Sequence, residues 1–411
     1  MRKRVLATIL TSALIALLVT VCLGSSAQTA AAAEPPPVKI AAAFPLSGNN
    51  AEAGQMGLDG AVFMVNRIND AGGIKSLGGA KIELVIADTT SDALQARTVV
   101  ERILDDEEIV AFLGPAISSL MLTLLPVIER NEIPAVTNCA AVDIFNQGYK
   151  FVFGVSHPAP TIGANVARAM SWLAEEGYIE SKRVALVYEN SAMGIQMSDG
   201  TRRNAGIYGL EIVFDESFPP GITDASAIVT SMKNSGADIF IPSTFASESK
   251  LFIDTMRSLD YHPFIIGPVA WPSLKENLGD SINGIFSTAN WNAYTKVVQE
   301  NPEHLAIVEE FEATHNYPFM SEQSALQVDC VRVLQQALEG AGSRDRQTLR
   351  DYLSANSFET MQTLPTMRFD PETGENITSV AILHQWQDGI PYAVFPTEYA
   401  VRELLHPDDI L

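Results

Sequence analysis

Short apolar runs alternate along this chain with longer stretches in which apolar residues return every third or fourth position. The runs have strand length and are rich in Val, Ile and Phe, and the stretches between them have helix length. The spacing predicts strands over 38–46, 81–88, 109–113 and 133–137, with helices over 54–70 and 91–106 and one opened by Ser118-Ser119. A second series follows the segment 149–156. It reads helix 159–176, strand 183–190, helix 192–205, strand 210–218, helix 224–235, strand 237–244, helix 246–259 and strand 262–268. The remainder is less regular, with a strand over 284–291, helices over 302–315, 321–338 and 347–354, and strands over 380–387 and 392–395 around an Asp388-Gly389 turn. Strands alternating with helices at this spacing build parallel sheets flanked by helices, so the predicted class is α/β. Two consecutive series predict two lobes of similar design.

The segment 108–141 is the most informative about function. Its first strand stops at Gly114-Pro115, Ser118-Ser119 then open an apolar helix, and the next strand ends in Cys139-Ala140-Ala141. In a parallel sheet both strand ends point to the edge where ligands collect. Serines at a helix start offer hydroxyls and unpaired N–H groups on the positive end of the helix dipole, a place suited to a carboxylate. They also serve as plain helix caps, and the segment alone does not separate the two.

Arg2-Lys3-Arg4, an apolar run over 5–23 and small residues up to Ala33 have the form of a secretory leader cut after Ala33. An uncleaved anchor is the alternative, because the run is nearly long enough to span a bilayer. The residue before Cys22 is Val21, which makes a poor lipoprotein site. No later stretch is apolar enough to cross a membrane. The expected product is an exported, soluble chain of 378 residues, enough for two domains with large cores. Its formal charge of -22, or -25 without the leader's three basic residues, argues against nucleic acid and anionic membranes as partners. Cys139 and Cys330 stand on different segments without a framework of spacings and read as separate buried thiols.

Catalytic patterns are missing from the sequence. It contains no G-x-S-x-G, no G-x-x-x-x-G-K, no G-x-G-x-x-G and no H-E-x-x-H. The six His residues, at 157, 262, 304, 315, 384 and 406, show no ligand spacing, so neither metal nor cofactor is expected. The chain reads as a binder and not as an enzyme.

Phe-Pro-Leu-Ser-Gly at 44–48 and the helix GAVFMVNRINDAGGI at 60–74 resemble the opening of periplasmic solute-binding proteins of the leucine/isoleucine/valine type. The Gly-Pro…Ser-Ser segment, IPAVTNCAA at 133–141, YENSAMG at 188–194 and IIGP at 265–268 continue the likeness in register over nearly the whole mature chain. The resemblance implies a two-lobed receptor of an ABC uptake system, working in the periplasm or outside the cytoplasm. Its partners would be a small organic acid or amino acid and the membrane permease subunits, or else a membrane sensor. It also implies three crossovers between lobes, placed near Ser156, Ala289 and Pro365. The lobes would then hold 34–156 with 290–365, and 157–289 with 366–411.

Carried over residue by residue, the resemblance places Ser118 at a ligand carboxylate and gives Cys139 a backbone role, while Ser119 from the helix start and Ala140 from the strand end complete the candidate site. It also shows where this chain departs from its relatives. Ala141 stands where a threonine is usual, Met193 and Phe245 where tyrosines are, Ala53 where an aromatic is, and Val269 where an acid pairs the ligand's ammonium. Leaving a buried ammonium without its counter-charge costs roughly 3 to 5 kcal/mol. The expected ligand is therefore a carboxylate with an apolar body and no α-ammonium, a true amino acid being the alternative.

Overall fold

The computed structural model describes residues 34–105, 108–267, 270–317, 320–378 and 380–406. The leader over 1–33 and the candidate site residue Val269 lie outside the described residues.

The first apolar run forms β1 (Val38–Phe44), and α1 (Ala51–Asp70) returns the chain to β2 (Ile82–Asp88), parallel to β1 from Val38↔Ile82 to Phe44↔Asp88. Helix α2 (Ala93–Leu104), β3 (Ile109–Leu113), α3 (Ser118–Arg130), β4 (Ala135–Thr137) and β5 (Val152–Gly154) complete a parallel sheet in the order β2-β1-β3-β4-β5. β3 is buried at every position, as a strand covered on both faces must be. Along β1, Ala41 and Ala43 join one apolar core while Ile40, Ala42 and Phe44 join the core on the other face.

The second series gives α4 (Ala159–Glu175), β6 (Arg183–Glu189), α5 (Ala192–Ala205), β7 (Glu211–Phe218), α6 (Ser226–Asn234), β8 (Ile239–Ser243), α7 (Ala246–Ser258), β9 (Phe264–Gly267), α8 (Pro272–Leu278) and β10 (Phe286–Ala289). The chain then rejoins the first sheet through α9 (Pro302–Thr314), α10 (Glu322–Ala341) and α11 (Arg346–Ala355), followed by a hairpin of β11 (Ser357–Glu359) and β12 (Thr366–Arg368). Phe311 of α9 meets Phe63 of α1 edge to face with ring centroids 5.4 Å apart. Helix α10 packs so closely on α1 that a Cβ on Gly60 would lie 2.1 Å from the Ser324 carbonyl oxygen, so this position requires glycine. Strands β13 (Ile382–Gln387) and β14 (Ile390–Phe395) close the second sheet, β13 antiparallel to β10, in the order β14-β13-β10-β9-β8-β6-β7.

The third crossover runs later than the expected position near Pro365. Residues 366–376 stay with the first lobe, where β12 pairs with β11, the Phe369 ring lies 5.2 Å from Phe153, and Asn376 Nδ2 donates to the Val155 carbonyl at 2.9 Å. The chain reaches the second sheet only at Ile382. Among the described residues no helix is long and apolar enough to cross a membrane.

Candidate ligand-binding site

A cavity opens where the strands of the two sheets end. Residues that follow β3, β4 and β5 line one side, and residues at or after the ends of β6, β8, β9 and β10 line the other. The cavity's volume is about 60 Å3.

Ser118 reaches this wall because the turn before it is tight. Gly114 has φ +104°, and a Cβ there would lie 2.3 Å from the Ala43 carbonyl oxygen. The hydroxyl of Ser118 does not cap its own helix. The cap position is Ile117, without a side-chain bond, and Ser118 Oγ instead accepts the Ala141 N–H at 3.3 Å. The hydroxyl proton and the first N–H groups of α3 are thus available to an anion. Ser119, one helical step on, is exposed, and its side chain does not line the cavity.

Ala140 lines the wall, and its carbonyl accepts the Ala159 N–H at 2.7 Å. Cys139 and Ala141 do not line it. The Cys139 thiol is buried, beside Thr137 and Ser118, and burial pushes it up to about 12, while Ala141 is fully buried with its N–H spent on Ser118. Cys139 and Cys330 are both free and buried.

The opposite wall is apolar. Ile162, Met193, Met197, Phe245 and Trp271 supply it, with the Phe245 and Trp271 rings 6.2 Å apart. Trp271 therefore belongs to the site, whereas Trp291 is packed in the core beside the second crossover. The Trp271 indole N–H and the Thr288 hydroxyl are buried without a hydrogen-bond partner among the described residues. Ala53 lies at the cleft mouth with Glu52, Phe245 and Trp271.

The residue that the sequence did not reveal is Glu322, at the start of α10. Among the described lining residues it is the one ionisable side chain. Its Oε1 accepts the Asn290 backbone N–H at 2.7 Å and Asn290 Nδ2 at 2.6 Å. Asn290 Nδ2 also donates to Ser156 Oγ at 3.3 Å, so this cluster ties the first two crossovers together. Burial pushes the Glu322 carboxyl up to about 7, against the opposing pull of the Asn290 and Trp291 N–H groups. The wall expected to be free of acid thus contains one. Gln323 stands beside it, its Oε1 accepting from Asn138 Nδ2 at 2.8 Å. The buried His157 next to Ser156 is held neutral, its imidazole lowered to about 3 by desolvation.

The model of the periplasmic binding protein family matches residues 37–389. A Leu/Ile/Val-binding protein homolog of Brucella suis biovar 1 is 25% identical over 395 residues, which cover 93% of this chain and 96% of that protein. Two solved structures share the fold. The substrate binding protein of a branched-chain amino acid transporter from Streptococcus pneumoniae, in complex with isoleucine, is 22% identical with a TM-score of 0.76, covering 86% of this chain and 97% of that one. A solute binding protein of an ABC transporter from Rhodopseudomonas palustris, in complex with 3,4-dihydroxybenzoic acid, is 17% identical with a TM-score of 0.75, covering 91% and 99%. With a family match that spans most of its length, over a two-lobed α/β frame with the cavity at the strand ends, this chain belongs to the periplasmic binding protein family.

Proposed function

We propose that this chain is the extracytoplasmic receptor of an ABC uptake system and captures a small carboxylic acid with a hydrocarbon or aromatic body and no α-ammonium. The observation that carries this reading is the polarity split across the cavity. Ser118 and the unpaired start of α3 form an anion-binding end, and Met193, Met197, Phe245 and Trp271 form an apolar wall opposite. Position 141 offers a ligand head group no hydroxyl, because it is an alanine, buried with its N–H on Ser118 Oγ. The relatives in this fold hold both ligand classes, isoleucine in the Streptococcus protein and 3,4-dihydroxybenzoic acid in the Rhodopseudomonas protein.

A second reading, an α-amino acid, is favoured by one observation: Glu322 is an acid in the wall with no Lys, Arg or His among the described lining residues. Its Oε1 already accepts two hinge donors, which is why the first reading leads. Matched pairs separate the two in calorimetry after a thermal-shift screen: phenylpyruvate against phenylalanine, and 4-methyl-2-oxovalerate against leucine. A ligand at a hundred times its Kd adds about 2.7 kcal/mol of stability, enough to detect. The oxo acid should bind more tightly in each pair. Tight, selective binding of the amino acids would establish the second reading instead.

A further inference from the structure

Glu322 occupies two structures at once. It is part of the cavity wall, and through Asn290 it holds the second crossover, whose side chain also reaches Ser156 on the first. A carboxylate at this place meets the solute's own negative charge inside a cavity whose described lining contains no Lys, Arg or His. Two anions in one desolvated site repel strongly, and the usual resolution is that one of them keeps a proton.

We propose that Glu322 binds the solute in its protonated form, so that capture of a carboxylate anion takes up one proton from solution. This rests on the reading that the solute carries no ammonium. The proton comes from bulk water or buffer and adds to the carboxylate oxygen, Oε2, that Asn290 does not hold. No other bond is made or broken. Protonation turns the Glu322 carboxylate, an acceptor only, into a group that can donate, while Oε1 goes on accepting from Asn290 and the hinge stays tied.

The neighbouring titratable groups leave this role to Glu322. Cys139, behind Ser118, stays a thiol, and His157, beside Ser156, stays neutral. On α1, Asp59 accepts the Tyr317 hydroxyl at 2.5 Å, and Glu52 stands at the cleft mouth with Ser273 and Glu276. Farther along α10, Asp329 accepts the Met361 N–H at 2.9 Å and neighbours Arg332. The second lobe contributes Glu189 and Glu248, which face each other and do not line the cavity. What sets the Glu322 carboxyl is burial, opposed only by the Asn290 and Trp291 N–H groups.

The test is calorimetry of the full mature chain with benzoate, phenylpyruvate and 4-methyl-2-oxovalerate at pH 6 and pH 8, in buffers of different ionisation enthalpy. If only the protonated form binds, affinity at pH 8 should be about tenfold weaker than at pH 6, with nearly one proton taken up at pH 8. The variant Glu322→Gln, which cannot titrate, should bring that ratio close to one. Should the variant not fold, proton uptake by the wild-type chain decides alone. A flat profile, or proton release on binding, overturns the inference while leaving the carboxylate receptor intact. Failure of every acid to bind overturns both.

Discussion

The side-chain oxygen of Gln196, in α5 of the second lobe, accepts the backbone N–H of Val142 from the first lobe at 2.8 Å. The two residues are 54 positions apart, and their bond joins the segment after β4 to α5. If this bond is lost when the lobes separate, it biases the closing equilibrium without touching the solute. Gln196→Ala should weaken binding by about two- to tenfold, the equivalent of the roughly 0.5 to 1.5 kcal/mol of one such bond. The change should appear as faster solute release in stopped flow. Unaltered release would show that this contact contributes nothing to closure.

Ser118→Ala should weaken a carboxylate solute by one to two decades, on the order of the 1.5 to 3 kcal/mol of a hydrogen bond to a charged group. It should also cost the unliganded chain about 1 kcal/mol, because the buried Ala141 N–H loses its acceptor. Helix α3 loses no cap, since Ser118 is not one. Calorimetry and urea unfolding read the two effects separately. Full affinity in the variant would remove Ser118 from the site.

Most strands and the long helices were legible because their periodicity is strong and each has a core to face. β3 and α5 end where the spacing predicts. Short elements were not: α8 has seven residues, and the β11–β12 hairpin pairs three residues on each strand. Too few positions lie on one face there for a period to show. The third crossover was misplaced for the same reason, since the hairpin holds residues 366–376 on the first lobe. At the site, Ser118 and Ala140 were proposed from the convergence of strand ends in a parallel sheet, and Met193 and Phe245 from the family resemblance; all four line the cavity. Glu322 was not legible, because it reaches the cavity from far along the chain through the packing of α10 on α1, and neither was Asn290, which stands just after β10 at a crossover and enters the site through its bonds to Glu322. The one signal was an acid opening a helix that is otherwise mostly buried.

Gly114→Ala should be among the most damaging single-methyl changes. The added Cβ would lie 2.3 Å from the Ala43 carbonyl and would sit at φ +104°. Strain in such a conformation costs on the order of 1 to 3 kcal/mol before the clash is counted. Urea unfolding should show at least that loss. A variant as stable as wild type would mean that the turn relaxes freely, and the placement of Ser118 would then not depend on it.

The two buried carboxyls of α10 should make the fold less stable as pH rises. Burial raises Glu322 from 4.5 and Asp329 from 3.8, each to about 7. Between those limits the folded chain keeps a proton that the unfolded chain has already lost. Linkage then requires stability to fall from about pH 4 to about pH 7 and to level off above it. The full shifts correspond to roughly 3 to 5 kcal/mol per group, from about 1.4 kcal/mol per pH unit. Exposed carboxyls such as Asp345 and Asp370, held low by hydrogen bonds from Thr348, Glu372 and Thr373, act in the opposite sense and only at more acid pH. Urea midpoints of the unliganded chain should therefore drop between pH 5 and pH 8. The double variant Glu322→Gln, Asp329→Asn should lose most of that drop, because Gln and Asn keep an oxygen for the Asn290 and Met361 N–H groups and cannot ionise. An equal drop in the double variant would mean that other groups carry the dependence and that neither carboxyl is held protonated by its site.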